Sequence, residues 1–314
     1  MIDLYKGDCL IKSDKIESGS VDLILTDLPY GTMDGQSISG IYHQGKEKHE
    51  WDNIIPTDKI MEIANRILRK NGKMILFAQE PFTNKLMNNA IPNLPFNYRA
   101  IWLKDTLGSF MRSKKALLYK TEDILMFSKS ERVHTGNDIH PLKNYFYQIY
   151  NLFEKGFIEN LFIDEGRYKT EQSAKANTAL KFGFNKSNFE FMNLSLFNYL
   201  SNFIDFNKKY DELKKIDAKY KLKYGSTFNL KEGDKYKSNV FEFKRDRNNY
   251  HPTQKPVLLL EDLIKTFSNE NDLVVDLTMG SGSTGVAAKN LNRSFIGIEQ
   301  DENYFNIAKE RINE

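Results

Sequence analysis

The sequence predicts an α/β fold, a mostly parallel sheet covered by helices on both faces and interrupted by an insertion. Three observations predict it. Apolar strand-like runs alternate with amphipathic helical stretches over the first 130 residues. The strands are near-continuous apolar runs, V-D-L-I-L and K-M-I-L-F-A among them, as burial on both faces requires. The same rhythm returns at Pro256, after a segment, 131–250, that lacks it.

The elements follow in order. Ile2 to Tyr5 is a short apolar run ending at Gly7-Asp8, and Val21 to Thr26 is a buried strand. From Pro56, residues Ile60, Ile63, Ala64, Ile67 and Leu68 recur at helical spacing, with Asn71-Gly72 as the stop. Lys73 to Ala78 reads as a strand and E-P-F-T-N-K-L-M-N-N-A as a helix. Tyr98 to Leu103 and Asp123 to Ser128 read as two further strands. Inside the middle segment, Leu200 to Tyr224 reads as a long amphipathic helix with lysines on its polar face. After Pro256 come helix, strand (L-V-V-D-L), glycine-rich turn, helix, strand (F-I-G-I-E) and a last helix. Residues 1–130 and 251–314 are therefore two halves of one sheet domain, and 131–250 is the insertion.

Composition narrows the class. The 314 residues are 40% hydrophobic and 28% charged, with no apolar window long enough to span a bilayer. The amino-terminal M-I-D-L-Y-K-G-D lacks the pattern of a secretory signal. The single cysteine, Cys9, excludes an intrachain disulfide and an all-cysteine metal site. A cytoplasmic protein without a membrane segment is expected. The net charge is +3, yet 131–250 alone holds 21 Lys and Arg against 16 Asp and Glu, and 24 of the 40 aromatic residues. Cations beside rings suit a nucleic-acid surface; the same bias also follows from base composition of the coding DNA.

Two motifs carry chemistry. D-L-T-M-G-S-G-S-T-G, Asp276 to Gly285, joins a strand to a helix, the setting of a nucleotide-binding turn. Gly280 and Gly282 are expected to let the backbone approach a ligand. No lysine follows the glycines as in a phosphate loop, and the spacing is not G-x-G-x-x-G. Glu299, at the end of the next strand, is placed to accept from ribose hydroxyls, which suits S-adenosylmethionine at least as well as a dinucleotide. The second motif, Asp27-Leu28-Pro29-Tyr30, sits at a strand tip. It offers a carboxylate and a backbone carbonyl beside an aromatic face, as the exocyclic amine of a planar base needs.

These motifs resemble those of the amino-methylating DNA methyltransferases, whose catalytic tetrapeptide is [DNS]-P-P-[YFW]. D-L-P-Y looks like a variant of it, and the Asp276–Gly285 turn resembles the S-adenosylmethionine motif. H-P-T-Q-K-P at His251 to Pro256 is similar to the segment that precedes it in one subgroup. W-D-N-I-I-P and Q-E-P-F-T extend the likeness. The order catalytic motif, insertion, H-P-T-Q-K-P, cofactor motif is the permuted order of the β group.

The resemblance implies a Rossmann-like methyltransferase fold, circularly permuted, whose insertion is a target-recognition domain. It implies that residues 1–130 form the catalytic half and 251–314 the cofactor half. Asp8, with Cys9 beside it, then approaches the adenine ring of S-adenosylmethionine. Thr253, Gln254, Lys255 and Pro256 meet its methionine end, with Lys255 pairing its carboxylate and Thr253 or Gln254 near the cap of a helix. Asp276, Thr278, Gly280, Ser281, Gly282, Ser283, Thr284 and Glu299 complete the cofactor site. Asp27 and the Leu28 carbonyl accept from adenine N6, Pro29 stiffens the turn, and Tyr30 stacks on a base flipped out of duplex DNA.

Leu28 stands where the family has its first proline, and Thr278 where many members have phenylalanine; the first keeps the needed carbonyl. Cytosine-N4 methylation, protein glutamine methylation (whose motif order is reversed) and a catalytically silent DNA-binding relative are the competing readings. Asp27 rather than Ser favours adenine. Double-stranded DNA is the expected partner, with a homodimer and a cognate restriction endonuclease as further expectations; the insertion alternatively serves dimer contacts. Asp27→Ala is expected to abolish methyl transfer in a tritiated-methyl assay while leaving cofactor binding largely intact, and retained activity refutes the assignment.

Overall fold

A computed structural model describes residues 1–30, 55–108, 114, 117–129, 140–183, 189–248, 250–251 and 253–314. Gly31 and Thr32 of the catalytic motif, Trp51 to Ile54 and Pro252 lie outside the described residues. The chain forms two compact units, residues 1–130 with 226–314, and residues 131–225.

The first unit opens with β1 (Ile2–Lys6), α1 (Cys9–Lys12) and β2 (Val21–Thr26). It continues through α2 (Thr57–Ile67), β3 (Leu68–Ala78), α3 (Phe82–Asn88), β4 (Phe96–Gly108) and β5 (Tyr119–Ser128). The second unit is helical: α4 (Pro141–Tyr150), α5 (Phe157–Asp164), α6 (Glu171–Phe182), α7 (Leu194–Leu200) and α8 (Tyr210–Tyr224). The chain then returns to the first unit with β6 (Val240–Glu242), α9 (Val257–Phe267), β7 (Leu273–Asp276), α10 (Ser283–Asn290), β8 (Ser294–Glu299) and α11 (Glu302–Asn313).

The strands form one sheet in the order β1-β8-β7-β2-β3-β5-β4-β6. Only the β3–β5 and β4–β5 pairs are antiparallel; the others are parallel. Strand β2 shows why both faces are covered. From Leu23 on, its side chains alternate between two cores: Leu23 and Leu25 pack toward α9, α10 and α11 and Ile24 toward α2 and α3, while Val21, before a register shift, joins the core of Ile24. All four are fully buried. A period of two with both faces apolar reads in sequence as an unbroken run.

Three boundaries differ from the sequence expectation. Helix α2 ends at Ile67, and Asn71-Gly72 lies inside β3 rather than stopping a helix. Leu68 takes extended dihedrals and pairs with Val21, so the strand claims residues whose local signals mark a helix end. The helix expected from Leu200 begins only at Tyr210, because Ile204 and Phe206 are buried in the core of the second unit and Asn207 adopts φ 51°. The insertion is also shorter than 131–250. Residues 226–250 pack with the sheet: β6 pairs with β4, the Asn229 N–H donates to Thr266 O, and Lys237 pairs with Asp262.

The second unit explains much of the aromatic bias. Phe146, Phe162 and Phe182 are fully buried, and the Phe146 ring lies 5.6–6.2 Å from those of Phe182, Phe189, Phe191 and Phe206. These rings build a core and are not available for stacking on bases. Among the described residues, no helix is long and apolar enough to cross a membrane.

The two glycines of the cofactor turn have different duties. Gly282 sits at φ 82° before α10, and a Cβ there would lie 2.9 Å from the Cα and Cβ of Ala308 on α11. It is a packing glycine between two helices. Gly282→Ala is therefore expected to destabilise the protein by about 2–4 kcal/mol in urea unfolding, from the left-handed φ and the overpacking together. Gly19→Ala, at φ 69° with nothing within 4 Å, is expected to cost only about 1 kcal/mol.

Candidate active site

Parallel pairing fixes where the functional residues meet. Glu299 and Lys6, Gly297 and Asp276, Val274 and Leu23, and Thr26 and Leu76 are register partners, so β1, β8, β7, β2 and β3 end along one edge of the sheet. The antiparallel β5 brings its amino end to that edge, with Asp123 opposite Ala78; β4 brings its carboxyl end, with Trp102 opposite Glu122. Ligands of open α/β sheets bind outside these carboxyl ends. A cavity of about 1010 Å³ lies there. It is lined by every predicted site residue except Pro256 and Gly282.

At one side of the cavity lies a buried cluster of charges. Asp27 Oδ1 accepts from the Tyr30 hydroxyl at 2.8 Å, and Oδ2 pairs with Lys255 Nζ. Lys255 also lies 3.0 Å from Glu122 Oε1, and the Tyr30 hydroxyl 3.1 Å from the same oxygen. Lys104 holds the other Glu122 oxygen at 2.6 Å. Two carboxylates and two ammonium groups sum to zero, which is how such a cluster survives burial. Burial raises the pKa of Asp27, and Glu122 adds to this while Lys255 opposes it. Burial likewise pushes Glu122 up, but Lys255 and Lys104 outweigh it and hold the group at about 2. Burial works against the Lys255 ammonium, yet Asp27 and Glu122 prevail and raise its pKa.

The structure sets the Lys255 ammonium against Asp27, the acid of the D-L-P-Y motif. The helix-cap expectation changes: Pro256 is the cap residue of α9 and makes no side-chain bond, while Asp246 Oδ2 accepts from the Val257 N–H at 3.1 Å. Gln254 instead ties segments together, donating to Asp246 and accepting from Ser281 Oγ at 3.3 Å. Thr253 hydrogen-bonds the His251 ring at Nδ1 through its N–H and hydroxyl.

Both departures from the family pattern have a structural reason. The Leu28 side chain is 2% exposed and packs in the core beneath α2 and α3, so burial anchors a turn that lacks the proline lock. The Thr278 hydroxyl sits 2.9 Å from the Asp27 carbonyl oxygen and 2.9 Å from Thr26 Oγ1. A phenylalanine there makes no such bond. Tyr30 packs on Phe82 with ring centroids 5.3 Å apart.

The other side of the cavity is the glycine turn. Asp276 is turned inward, accepting from Thr26 Oγ1, the Thr278 N–H and Thr284, and burial raises its pKa to about 6. Glu299 accepts from the Gly280 and Asp301 N–H groups at 2.8 and 2.7 Å. Asp8 caps α1 by accepting from Leu10 N–H. Cys9 is buried, which pushes its thiol up to about 12, an inert group. Gly280, at φ 51°, is open on its cavity side: a Cβ would meet only the His251 ring, at 3.8 Å. Ser281 and Ser283 accept from Arg311 of α11, which braces the turn.

Sequence reasoning missed Glu122, Lys104, Asp246 and Arg311. The first two abut apolar strand runs, I-W-L-K and E-D-I-L-M-F, and a charge inside a buried strand is the signal that marks them. Asp246 and Arg311 carry no local motif; their partners lie 8 and 11 residues on for Asp246 and 28 to 30 residues back for Arg311.

The pH dependence of this region has a definite sign. Burial and the nearby Lys255 lower His251 from 6.5 to about 4, so between these values the unfolded chain takes a proton that the folded one refuses. Stability falls as pH falls through that window. Asp276, raised from 3.8 to about 6, works oppositely and favours folding as pH falls below 6. His251→Phe is expected to become progressively more stable relative to wild type as urea unfolding is moved from pH 7 to pH 4.5.

Comparison with known proteins agrees with this geometry. A profile described as DNA methylase, covering N6 and N4 methyltransferases, matches residues 21–310. The type II methyltransferase M2.LlaDCHI of Lactococcus lactis subsp. cremoris is 52% identical over 63 residues, 20% of this chain and 23% of that protein. The chain thus aligns with about a quarter of that relative's length. The DNA adenine methyltransferase YhdJ of Escherichia coli K12 is 25% identical across 98% of this chain and 82% of its own. The crystal structure of M1.HpyAVI with SAM superposes with a TM-score of 0.54 at 20% identity, covering all of both chains, a likeness of fold. With a profile match that runs from β2 into α11 and takes in both sides of the cavity, the chain belongs to the DNA methylase family.

Proposed function

We propose that this protein transfers a methyl group from S-adenosylmethionine to the N6 amine of adenine in duplex DNA. The observation that carries the proposal is the meeting of Asp27-Leu28-Pro29-Tyr30 and the open Gly280 turn on one cavity, though about 250 residues separate them in the chain. The cavity suits the methyl donor. Its glycine turn leaves a cradle that a Cβ at Gly280 would enter, and Asp8 and Glu299 supply acceptors for hydroxyl and amine donors. S-adenosylmethionine, when bound, supplies an electrophilic methyl group on a sulfonium.

The chain's own residues do the rest. Asp27 accepts a hydrogen bond from the target amine and favours the positive charge that grows on its nitrogen. Thr278 holds the Asp27 carbonyl, so the acid loop and the glycine turn are tied at fixed separation. Such fixation matters because the reacting atoms must be held in line within a narrow distance. Leu28 sets the loop from beneath, and Pro29 limits its backbone freedom. The adenine enters after leaving the helical stack, and residues 131–225, read as the target-recognition unit, hold the duplex through lysines and polar side chains.

Cytosine-N4 transfer is the second reading, since the matching family covers both amines. An acid at position 27 supports adenine over cytosine, as does the name of the full-length relative YhdJ. The test is expression in a host free of DNA methylation followed by single-molecule sequencing. N6-methyladenine in one sequence context, lost with Asp27→Ala, is the expected result. N4-methylcytosine replaces the reading with the second, and unmodified DNA overturns both.

A further inference from the structure

We propose that Glu122, anchored by Lys104, is a positioning residue: it receives Lys255 and Tyr30 when a substrate amine takes Asp27. The inference rests on the amine-methylation reading above and adds a residue that the motif does not contain. Both Asp27 oxygens are engaged, Oδ1 by the Tyr30 hydroxyl at 2.8 Å and Oδ2 by Lys255. An incoming amine must share or displace these donors.

The geometry provides for displacement. The Tyr30 hydroxyl has one proton, and it lies within reach of Asp27 at 2.8 Å and of Glu122 Oε1 at 3.1 Å. Rotation about the C–O bond turns the donated hydrogen bond from one acid to the other without moving the ring. Lys255 has three protons and, besides Asp27, has Glu122 Oε1 at 3.0 Å and the Thr253 carbonyl at 3.3 Å. It releases Asp27 and keeps two acceptors, so no cation is left buried and unpaired.

Glu122 itself cannot follow. Lys104 holds its second oxygen at 2.6 Å, and the Lys104 and Glu122 side chains are only 9% and 7% exposed. Trp102, the register partner of Glu122, donates its indole N–H to the Phe243 carbonyl and fixes the neighbouring strand. Among the described residues, the ionisable groups around Lys255 are Asp27, Glu122 and His251, with Tyr30 and Lys104 bonded to those acids; without the Glu122 charge, Asp27 is the only carboxylate left there. The amine then competes with a buried ammonium for its only counter-ion.

The test is single-turnover methyl transfer to genomic DNA free of methylated bases, with S-adenosylmethionine binding measured separately. Glu122→Gln is expected to slow transfer at least tenfold at pH 7 while S-adenosylmethionine affinity stays within threefold. Losing Glu122 removes one of the two carboxylates that raise Lys255, so the variant's rate should climb toward alkaline pH more than the wild type's. Removing the competing ammonium in Glu122→Gln/Lys255→Met should recover several-fold over the single variant. Glu122→Asp, which keeps the charge, should show a smaller defect of the same kind and serves if Glu122→Gln does not fold. A slow variant with a level pH profile and no gain from the second substitution overturns the proposal, as does a wild-type rate in Glu122→Gln. A wild-type protein that methylates no DNA overturns the functional reading and this one with it; an active wild type confines any failure to the role of Glu122.

Discussion

The register of β2 between β7 and β3 is the constraint on which the rest depends. Leu23 opposite Val274 and Thr26 opposite Leu76 place the end of β2 beside the ends of both neighbours. That alignment sets Asp27, Asp276 and Glu299 along one edge. It is held by burial rather than by the site, since Leu23 and Leu25 fill one core and Ile24 the other. A slip of one residue would exchange the faces of every side chain in the strand. The chemistry therefore inherits its geometry from apolar packing on both sides of the sheet.

The same edge concentrates charge in a buried place. Asp27, Glu122, Lys104 and Lys255 come from a strand-end loop, two antiparallel strands and the segment before α9. Hydrophobic residues of similar volume often stabilise such a position better than an ion-pair cluster does. Its neutrality lets one acid be lent to a substrate while the other keeps the cations paired.

Leu28 and Thr278 act together on the same loop. Leu28 pulls it down into the core, and Thr278 ties its Asp27 carbonyl to the glycine turn. At these two places this chain holds the loop by burial and by a hydroxyl.

How much was legible differs between fold and site. Apolar runs identified β1, β2, β3, β7 and β8, because strands buried on both faces need no remote information to be recognised. The D-L-P-Y loop and the glycine turn were legible as local spacing at strand ends. Where local signals conflicted with pairing, pairing prevailed: Asn71-Gly72 lies within β3, and residues 226–250 joined the sheet through β6. The sequence by itself determined the strand and helix types outside 131–250, the order of the motifs and the acid at position 27, since each is read from residues near in the chain. Only the tertiary structure decided that Lys255 pairs with Asp27, that Glu122 and Lys104 complete the cluster, and that Gly282 packs against α11. Those contacts join side chains up to 228 residues apart. Their partners are set by sheet register and core packing, which no local pattern encodes.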